Sequence, residues 1–392
     1  MTRSPDLRPH PVPAGRFARA RRMGGLATGL AGGVALGGAQ ALLRGQRPRL
    51  SDLVMTPANI TRLADRLSEM RGAAMKLGQL LSMEAGDLLP PELETILSRL
   101  RAQAHVMPPQ QLKHVLQTAY GPDFRKLFRS FDTTPLAAAS IGQVHRATTP
   151  DGEALAVKLQ YPGVRDAIDS DLDNVAALIR WSGLWPAELD LAPLMAEARA
   201  QLHEEADYAR EGAAMARFGA LLAGDDRFVL PRLDESRTRP DALAMSFERS
   251  DPIEALSTAP PAIRDRAVTA LLELCLRELF DFRLMQTDPN FANYRWRPDT
   301  GQIVLLDFGA TREISTDVAE AYRTLLRAGL DHDQPGVLAA LEGIGFIKPG
   351  LSDRHRQTIL DMSEMGFTLL RGPGPFDFRG NDFADRLRKR GM

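Results

Sequence analysis

The sequence predicts an α+β fold of two lobes, preceded by a helical extension. Short strand-like segments in the middle of the chain, with long helical patterns on both sides, predict this arrangement. The 392 residues suffice for one large two-lobed domain with appendages. The predicted divisions are a helical extension at 51–134, a smaller lobe at 135–250 and a larger lobe at 251–392.

The helical extension is predicted from apolar residues that recur at three- and four-residue steps and so share one helix face. These residues are Leu63, Leu67, Met70, Ala74, Leu77 and Leu81. The pairs Pro90-Pro91 and Pro108-Pro109 divide this region into separate helical pieces.

Strands are predicted mainly in the smaller lobe. Ala154 to Leu159 reads as a strand after a turn at Pro150-Asp151-Gly152, and 194–221 reads as one helix. Beyond Pro260 the pattern is mainly helical, including 316–328, with strand signals only around 293–297 and 303–307.

The first 50 residues differ in composition from the rest. Residues 1–22 are rich in Pro and Arg and are predicted to be disordered. Residues 23–43 carry no charge, which predicts a weak membrane-associating stretch; a flexible Gly/Ala linker is the alternative. Glycines recur every four residues in this stretch, a spacing on which two copies could pack as a homodimer. These glycines are Gly25, Gly29, Gly33 and Gly37.

Charge and cysteine content limit the function classes. The 49 basic and 50 acidic residues nearly balance, which gives no reason to expect a nucleic-acid partner. The single cysteine, Cys275, excludes an internal disulfide framework and favours a reducing compartment, the cytoplasm or the cytosolic face of the inner membrane in a bacterium. An Arg-rich, acid-poor N-terminus would also suit a mitochondrial presequence.

Two motifs match the catalytic and metal loops of protein kinases. Asp288 is followed five positions later by Asn293, and Asp307-Phe308-Gly309 comes next. In this pattern Asp288 orients or deprotonates the attacking hydroxyl, while Asn293 and Asp307 hold Mg²⁺ on ATP, since that cation requires oxygen ligands. Each motif alone is equally well a turn or a strand end.

The smaller lobe offers candidates for the remaining kinase parts. Lys158, in Ala156-Val157-Lys158, is the candidate that binds the phosphates, although alone it could be an edge-strand charge. The segment expected to cover the phosphates corresponds to Ala137, Ala138, Ala139 and Ser140. Alanine replaces the usual glycine there, which predicts that the backbone binds nucleotide differently from a glycine-rich loop. Spacing does not choose the acidic partner of Lys158 among four glutamates: Glu197, Glu204, Glu205 and Glu211.

The segment that normally docks a peptide substrate is missing or very short after Gly309. No Ala-Pro-Glu motif follows, and the chain passes from Glu313 and Ile314 directly into a helical pattern. This argues against ordinary phosphorylation of protein substrates.

Taken in order, the motifs resemble the UbiB family of atypical kinase-like proteins, in its coenzyme Q (ubiquinone) branch. The resemblance covers roughly residues 50–350. The motifs that carry it are Lys76-Leu77-Gly78-Gln79, Ala137–Val144, Ala156-Val157-Lys158, Glu205-Ala206-Asp207, Gln286–Asn293 and Leu306–Glu313.

The resemblance implies a bilobal protein-kinase-like fold whose helical extension covers the active site. It implies that Glu205 pairs with Lys158, that Lys76 acts beside the phosphates, and that Gln79 joins the nucleotide site. From the residues alone, Lys76 is equally well a snorkelling charge at the rim of an amphipathic helix. One departure is Ala214, which stands where the family usually has the asparagine of an E-A-x-N motif.

The function implied is an ATP- and Mg²⁺-dependent atypical kinase or ATPase that supports ubiquinone biosynthesis by mobilising lipid-like quinone precursors. Its expected partners are those precursors, enzymes of the same biosynthesis and a membrane surface. Two alternatives stay open: a small-molecule kinase of the choline or aminoglycoside type, and a nucleotide-gated scaffold for a biosynthetic complex.

Overall fold

The computed structural model describes Gly72, Lys76 and Gly78, together with residues 106–391 apart from 183–184, 186–189, 289, 348–349 and 375–381. The first 50 residues, Gln79 and most of the predicted helical extension therefore lie outside the described residues. The chain divides into two compact units. The first comprises Met1–Ile253 and Asn290–Ala310, and the second comprises Glu254–Pro289 and Thr311–Met392.

The first unit contains a five-stranded sheet of β1 (Ser130–Phe131), β2 (Ala137–Ala138), β3 (Gly142–Thr148), β4 (Ala154–Gln160) and β6 (Ala242–Ser246). The strands pair in the order β1-β3-β4-β6, and β2 pairs with β3. β3 and β4 pair antiparallel from Gly142 opposite Gln160 to Thr148 opposite Ala154. The connection is the predicted turn, in which Gly152 takes a φ of +92° that favours glycine. The predicted strand at 154–159 is confirmed.

Four described helices belong to the first unit: α1 (Pro109–Tyr120), α2 (Val164–Ser182), α3 (Leu191–Glu205) and α4 (Tyr208–Leu221). The prediction of one continuous helix over 194–221 is wrong. Asp207 caps a new helix, because its side chain accepts a hydrogen bond from the Arg210 N–H at 3.1 Å. The chain therefore changes direction between Glu205 and Tyr208.

The core of the first unit packs α1 against the sheet. Leu112 and Leu116 of α1 lie in one cluster with Leu155, Val157 and Leu159 of β4. Burying each such side chain stabilises the fold by about 1.5–3 kcal/mol. Burial on both faces of β4 explains why its sequence is apolar almost throughout.

A second sheet brings a later segment back into the first unit. β5 (Phe228–Val229), β10 (Ile303–Leu305), β9 (Tyr294–Trp296) and β7 (Asp251–Pro252) pair in that order. β9 and β10 confirm the predicted strand signals around 293–297 and 303–307. Because β10 pairs with β5 and β9 pairs with β7, Asn290–Ala310 belongs to the first unit. The predicted lobe boundaries themselves stay a prediction.

The second unit is mainly helical, with one small sheet of β8 (Leu284–Gln286) and β11 (Thr311–Glu313). Its described helices are α5 (Pro261–Arg277), α6 (Thr316–Leu330), α7 (Gln334–Ile344), α8 (Asp353–Leu370) and α9 (Phe383–Gly391). α6 confirms the predicted helix at 316–328. Among the described residues, no helix combines the length and apolar content that crossing a membrane requires.

Candidate active site

Lys158 is the centre of the candidate site. Its Nζ lies 2.8 and 2.9 Å from the two carboxylate oxygens of Glu211 and 3.4 Å from Asp307 Oδ2. β4 is an inner strand between β3 and β6, and the Lys158 side chain is only 5% exposed. These facts exclude the edge-strand interpretation, because an ammonium is buried in this way only when it is paired.

Glu211, not Glu205, is the acidic partner of Lys158, so the pairing implied by the resemblance is wrong. The capped start of α4 places Glu211 in its first turn, beside β4. Glu205 is the last residue of α3 and instead accepts a hydrogen bond from the Ser140 hydroxyl. Its Oε2 is buried and has no hydrogen-bond partner among the described residues.

Lys158, Glu211 and Asp307 shift one another's pKa values. Burial would lower the pKa of Lys158, but Asp307 and Glu211 hold it well above its usual range. Burial raises the pKa of Glu211 to about 7 against the attraction of Lys158. For Asp307, Lys158 and the Gly309 N–H outweigh burial and lower the pKa, so this carboxylate is charged at neutral pH.

Asn293 and Asp307 are brought together by the pairing of β9 with β10. The Leu306 N–H donates to the Asn293 carbonyl at 3.0 Å, and Asp307 follows directly. Asp307 Oδ1 accepts from the Gly309 N–H at 2.9 Å, and the Gly309 carbonyl accepts from Arg210 Nη1 at 2.8 Å. The loop that bears Asp307 is therefore tied at both ends of its backbone.

This donor set fits a hard divalent cation. Asp307 offers a charged carboxylate and Asn293 an amide oxygen, which are ligands that Mg²⁺ accepts. No three His, Cys, Asp or Glu residues within the described part of the chain cluster as a metal site. A cation held by Asp307 and Asn293 would take further ligands from water and the phosphates of a bound nucleotide.

The alanine-rich segment pairs with β3. Ala137 and Ala138 form β2, opposite Val144 and Gln143, and the Ala139 N–H donates to the Gly142 carbonyl at 2.9 Å. Its alanines therefore take strand conformation, which β-carbon-bearing residues adopt easily.

Lys76 lies against the same region. It is only 8% exposed. Burial raises the pKa of Glu205, and the nearby charge of Lys76 opposes this rise. The same charge adds to the effect of Lys158 in lowering the pKa of Asp307. Such burial excludes a snorkelling charge at a helix rim. A methyl group added at Gly72, which like Lys76 is helical, would lie 2.6 Å from the Ile141 side chain. Gly72 therefore lies directly against the end of the alanine-rich region.

Asp288 lies in the second unit, after β8. Gln286 Oε1 accepts a hydrogen bond from the Asp288 N–H at 2.5 Å, and the Gln286 N–H donates to Glu278 Oε2 at 3.1 Å. Glu278 is only 6% exposed, and burial raises its pKa to about 7. Sequence reasoning did not single out Glu278 or Arg210, because a single acid or arginine in a helical pattern is normally a solvated charge.

A buried lysine–glutamate pair beside the aspartate of an Asp-Phe-Gly loop defines the site of a protein-kinase-like fold. Residues 99–341 match the ABC1 atypical kinase-like domain. The chain belongs to this family of atypical kinases, as the resemblance predicted, and the predicted α+β kinase-like fold is confirmed.

Relatives match along nearly the whole chain. The atypical kinase COQ8, mitochondrial, of Saccharomyces cerevisiae is 36% identical over 97% of this chain and 77% of its own length. The atypical kinase coq-8, mitochondrial, of Caenorhabditis elegans is 35% identical over 96% of this chain, but over only 51% of its own length. A solved complex of Rv3197 with erythromycin from Mycobacterium tuberculosis is 27% identical, covers 78% of each chain and has a TM-score of 0.54.

Proposed function

We propose that this chain binds ATP with Mg²⁺ and acts as an atypical kinase or ATPase that supports ubiquinone biosynthesis. The observation that carries the proposal is the ammonium of Lys158, held between Glu211 and Asp307. A buried cation fixed beside a charged metal-ligand carboxylate serves a polyphosphate better than it serves packing alone.

Each residue of the proposed site has one task. Lys158 neutralises phosphate charge, Glu211 orients Lys158, and Asp307 with Asn293 holds Mg²⁺. Asp288 orients the attacking hydroxyl or water, and ATP supplies the phosphoryl group when bound. The hydrogen bond between Gln286 and the Asp288 N–H supports this task, because it fixes the backbone that carries the carboxylate.

We propose that the helical extension keeps protein substrates out of the site. The packing of Gly72 against Ile141 and the burial of Lys76 support a helical extension that lies on the nucleotide-binding segment. Lys76 and Glu205 are proposed to act beside the phosphates, with Gln79 and Ala137–Ser140 as further nucleotide-binding residues.

The proposed acceptors are apolar quinone precursors. The mitochondrial COQ8 relatives support a role in quinone metabolism, with quinone precursors, their biosynthetic enzymes and a membrane surface as partners. We place the protein in a compartment that holds ATP, on the cytosolic face of a bacterial inner membrane or inside a mitochondrion. The stretch 23–43 is proposed to associate with the membrane or with a second copy.

The direct test measures phosphate release from Mg·ATP by the full chain, with and without anionic vesicles and a phenolic quinone-precursor mimic. Asp288→Asn should lower the rate at least about 100-fold, the contribution expected of a general base. Asp299→Asn, at an exposed turn, is the matched control and should leave the rate unchanged. Equal rates in Asp288→Asn and the unmutated protein would remove Asp288 from the mechanism.

Two further measurements separate the alternatives. A screen with γ-labelled ATP that yields a phosphorylated soluble alcohol would favour a small-molecule kinase over an ATPase. Quinone content in cells that carry Asp307→Asn should fall to the level of a deletion strain. Normal quinone content in those cells, with Mg²⁺ binding abolished in the purified variant, would favour the scaffold.

A further inference from the structure

The chain leaves α5 through a turn of π-helix, Glu278–Phe282, a form that is rare and is often found at functional sites. The turn ends at Arg283, which takes a left-handed φ of +50° that is uncommon for residues other than glycine. The chain then enters β8, and the Gln286 N–H donates to Glu278 Oε2 at 3.1 Å. The π-helical turn therefore places the Glu278 side chain against the strand that follows it.

Glu278 is connected through one residue to the backbone of Asp288. Its carboxylate accepts the hydrogen bond from the Gln286 N–H, and the Gln286 side chain in turn accepts one from the Asp288 N–H at 2.5 Å. Gln286 is therefore held by its backbone and holds Asp288 by its side chain. All three residues lie within Glu254–Pro289, so both hydrogen bonds belong to the second unit.

Packing alone does not explain a carboxyl group at this position. Glu278 is buried, and within the described part of the chain no cation pairs with it. Burying a carboxyl group costs more free energy than one backbone hydrogen bond returns, so an apolar side chain of the same size would stabilise the fold more. A role in fixing the Gln286 backbone accounts for the acid.

We propose that Glu278 is a positioning residue for Asp288, which it holds through the backbone and the side chain of Gln286. Its loss should therefore affect the chemical step more than the binding of Mg·ATP. The proposed nucleotide-binding residues belong to the first unit and stay unchanged when Glu278 is replaced. The proposal rests on the proposed function in taking Asp288 as the residue that orients the attacking hydroxyl or water.

Three replacements of Glu278 in the full chain separate the reach of the carboxylate from its charge. Glu278→Met removes the acceptor and keeps the length of the side chain. Glu278→Asp keeps the charge but withdraws it by one methylene, and Glu278→Gln keeps the acceptor in place without the charge. Leu274→Met is the control, because Leu274 is buried one helical turn earlier in α5 and methionine fills nearly the same volume.

The first readout is hydrogen–deuterium exchange of single amides, which requires no nucleotide. The Gln286 and Asp288 amides should exchange about tenfold faster in Glu278→Met and Glu278→Asp, because both variants lose the hydrogen bond to Gln286. Both amides should stay within about threefold of the unmutated protein in Glu278→Gln and Leu274→Met. The Arg312 amide, in the strand paired with β8, should keep its rate in all four variants.

The second readout is phosphate release from Mg·ATP, measured as kcat and KM. Glu278→Met and Glu278→Asp should lower kcat about tenfold and leave KM within about twofold, whereas Glu278→Gln should restore kcat. Because exchange is measured without nucleotide, a protein that does not hydrolyse ATP would still show the hydrogen bonds of Glu278 and Gln286. Failure of the proposed function is therefore distinguishable from failure of this proposal.

Equal exchange of the Asp288 amide in Glu278→Met and the unmutated protein would overturn the proposal, and Glu278→Asp provides the same test if Glu278→Met does not fold. A Glu278→Gln protein that behaves like Glu278→Met would also overturn it, because the charge and not the hydrogen bond would then matter. Faster exchange that extends equally to Arg312 would assign Glu278 a merely structural role.

Discussion

Arg210 Nη1 donates a hydrogen bond of 2.8 Å to the carbonyl oxygen of Gly309, two residues after Asp307. The same helix turn carries Glu211, which pairs with Lys158. One short stretch of α4 therefore contacts both the proposed phosphate-binding lysine and the loop of the proposed metal ligand. A displacement of α4 would disturb both groups together.

Replacing Arg210 by methionine should lower the affinity for nucleotide in the presence of Mg²⁺ about tenfold. The reason is that a hydrogen bond from a charged donor contributes about 1.5–3 kcal/mol. The change keeps the apolar stem of the side chain and removes the donor to Gly309. Calorimetric titration of the nucleotide with and without Mg²⁺ measures the effect. Arg217→Met, at an exposed position of the same helix, is the control, and equal affinities in both variants would contradict the prediction.

The local elements near the site were predictable from sequence. Pro150-Asp151-Gly152 predicted the turn between β3 and β4, and the short apolar run around Lys158 predicted its strand. Asp288, Asn293 and Asp307 could be proposed as site residues because metal and proton chemistry restricts residue type at fixed spacing, and their roles stay a prediction. Such signals depend on a few neighbouring residues.

The partner of Lys158 depended on a change of chain direction that periodicity does not reveal. The apolar pattern continues through Ala206, so α3 and α4 read as one helix. The available signal was Asp207, an N-cap residue placed four positions before Glu211. Glu278 was unpredictable for another reason: burial by distant segments, rather than its neighbours in sequence, gives it a raised pKa.

A double-mutant cycle should show that Lys158 and Glu211 act as a pair. Lys158→Met alone should lower the free energy of unfolding by about 3–5 kcal/mol, because it leaves buried carboxylates without their cation. Adding Glu211→Gln should recover part of this loss, with a coupling of about 1–3 kcal/mol by urea unfolding. Lys158→Met with Glu205→Gln is the matched cycle. A larger coupling to Glu205 than to Glu211 would contradict the observed pairing.

Glu278 should make stability depend on pH. Burial raises its pKa from 4.5 to about 7, so the folded state binds a proton more tightly than the unfolded state. Stability from this group is complete below about pH 4.5 and is lost as the pH rises through 7. Glu278→Gln keeps an acceptor for the Gln286 N–H, and should therefore stabilise the protein at pH 8 by roughly 2–3 kcal/mol and hardly at all at pH 4.5.

Urea unfolding of both proteins at pH 4.5, 6, 7 and 8 measures this difference. Glu211 also has a pKa raised to about 7, but it is present in both proteins and cancels in the comparison. Glu273→Gln, at an exposed position of α5, controls for the loss of one negative charge. A difference between Glu278→Gln and the unmutated protein that stays constant from pH 4.5 to 8 would show that Glu278 titrates normally.

Two glycine-to-alanine changes should have opposite effects on stability. At Gly142 the new methyl would lie 2.3 Å from a backbone oxygen of β4, so the strands must separate. We expect Gly142→Ala to destabilise the protein by about 1–3 kcal/mol and to displace Tyr208. At Gly219, within α4, nothing lies within 4 Å of the new methyl, so Gly219→Ala should stabilise the helix by about 0.5–1 kcal/mol. Thermal unfolding of both variants decides the matter, and a Gly142→Ala protein as stable as the unmutated one would contradict the close contact between β3 and β4.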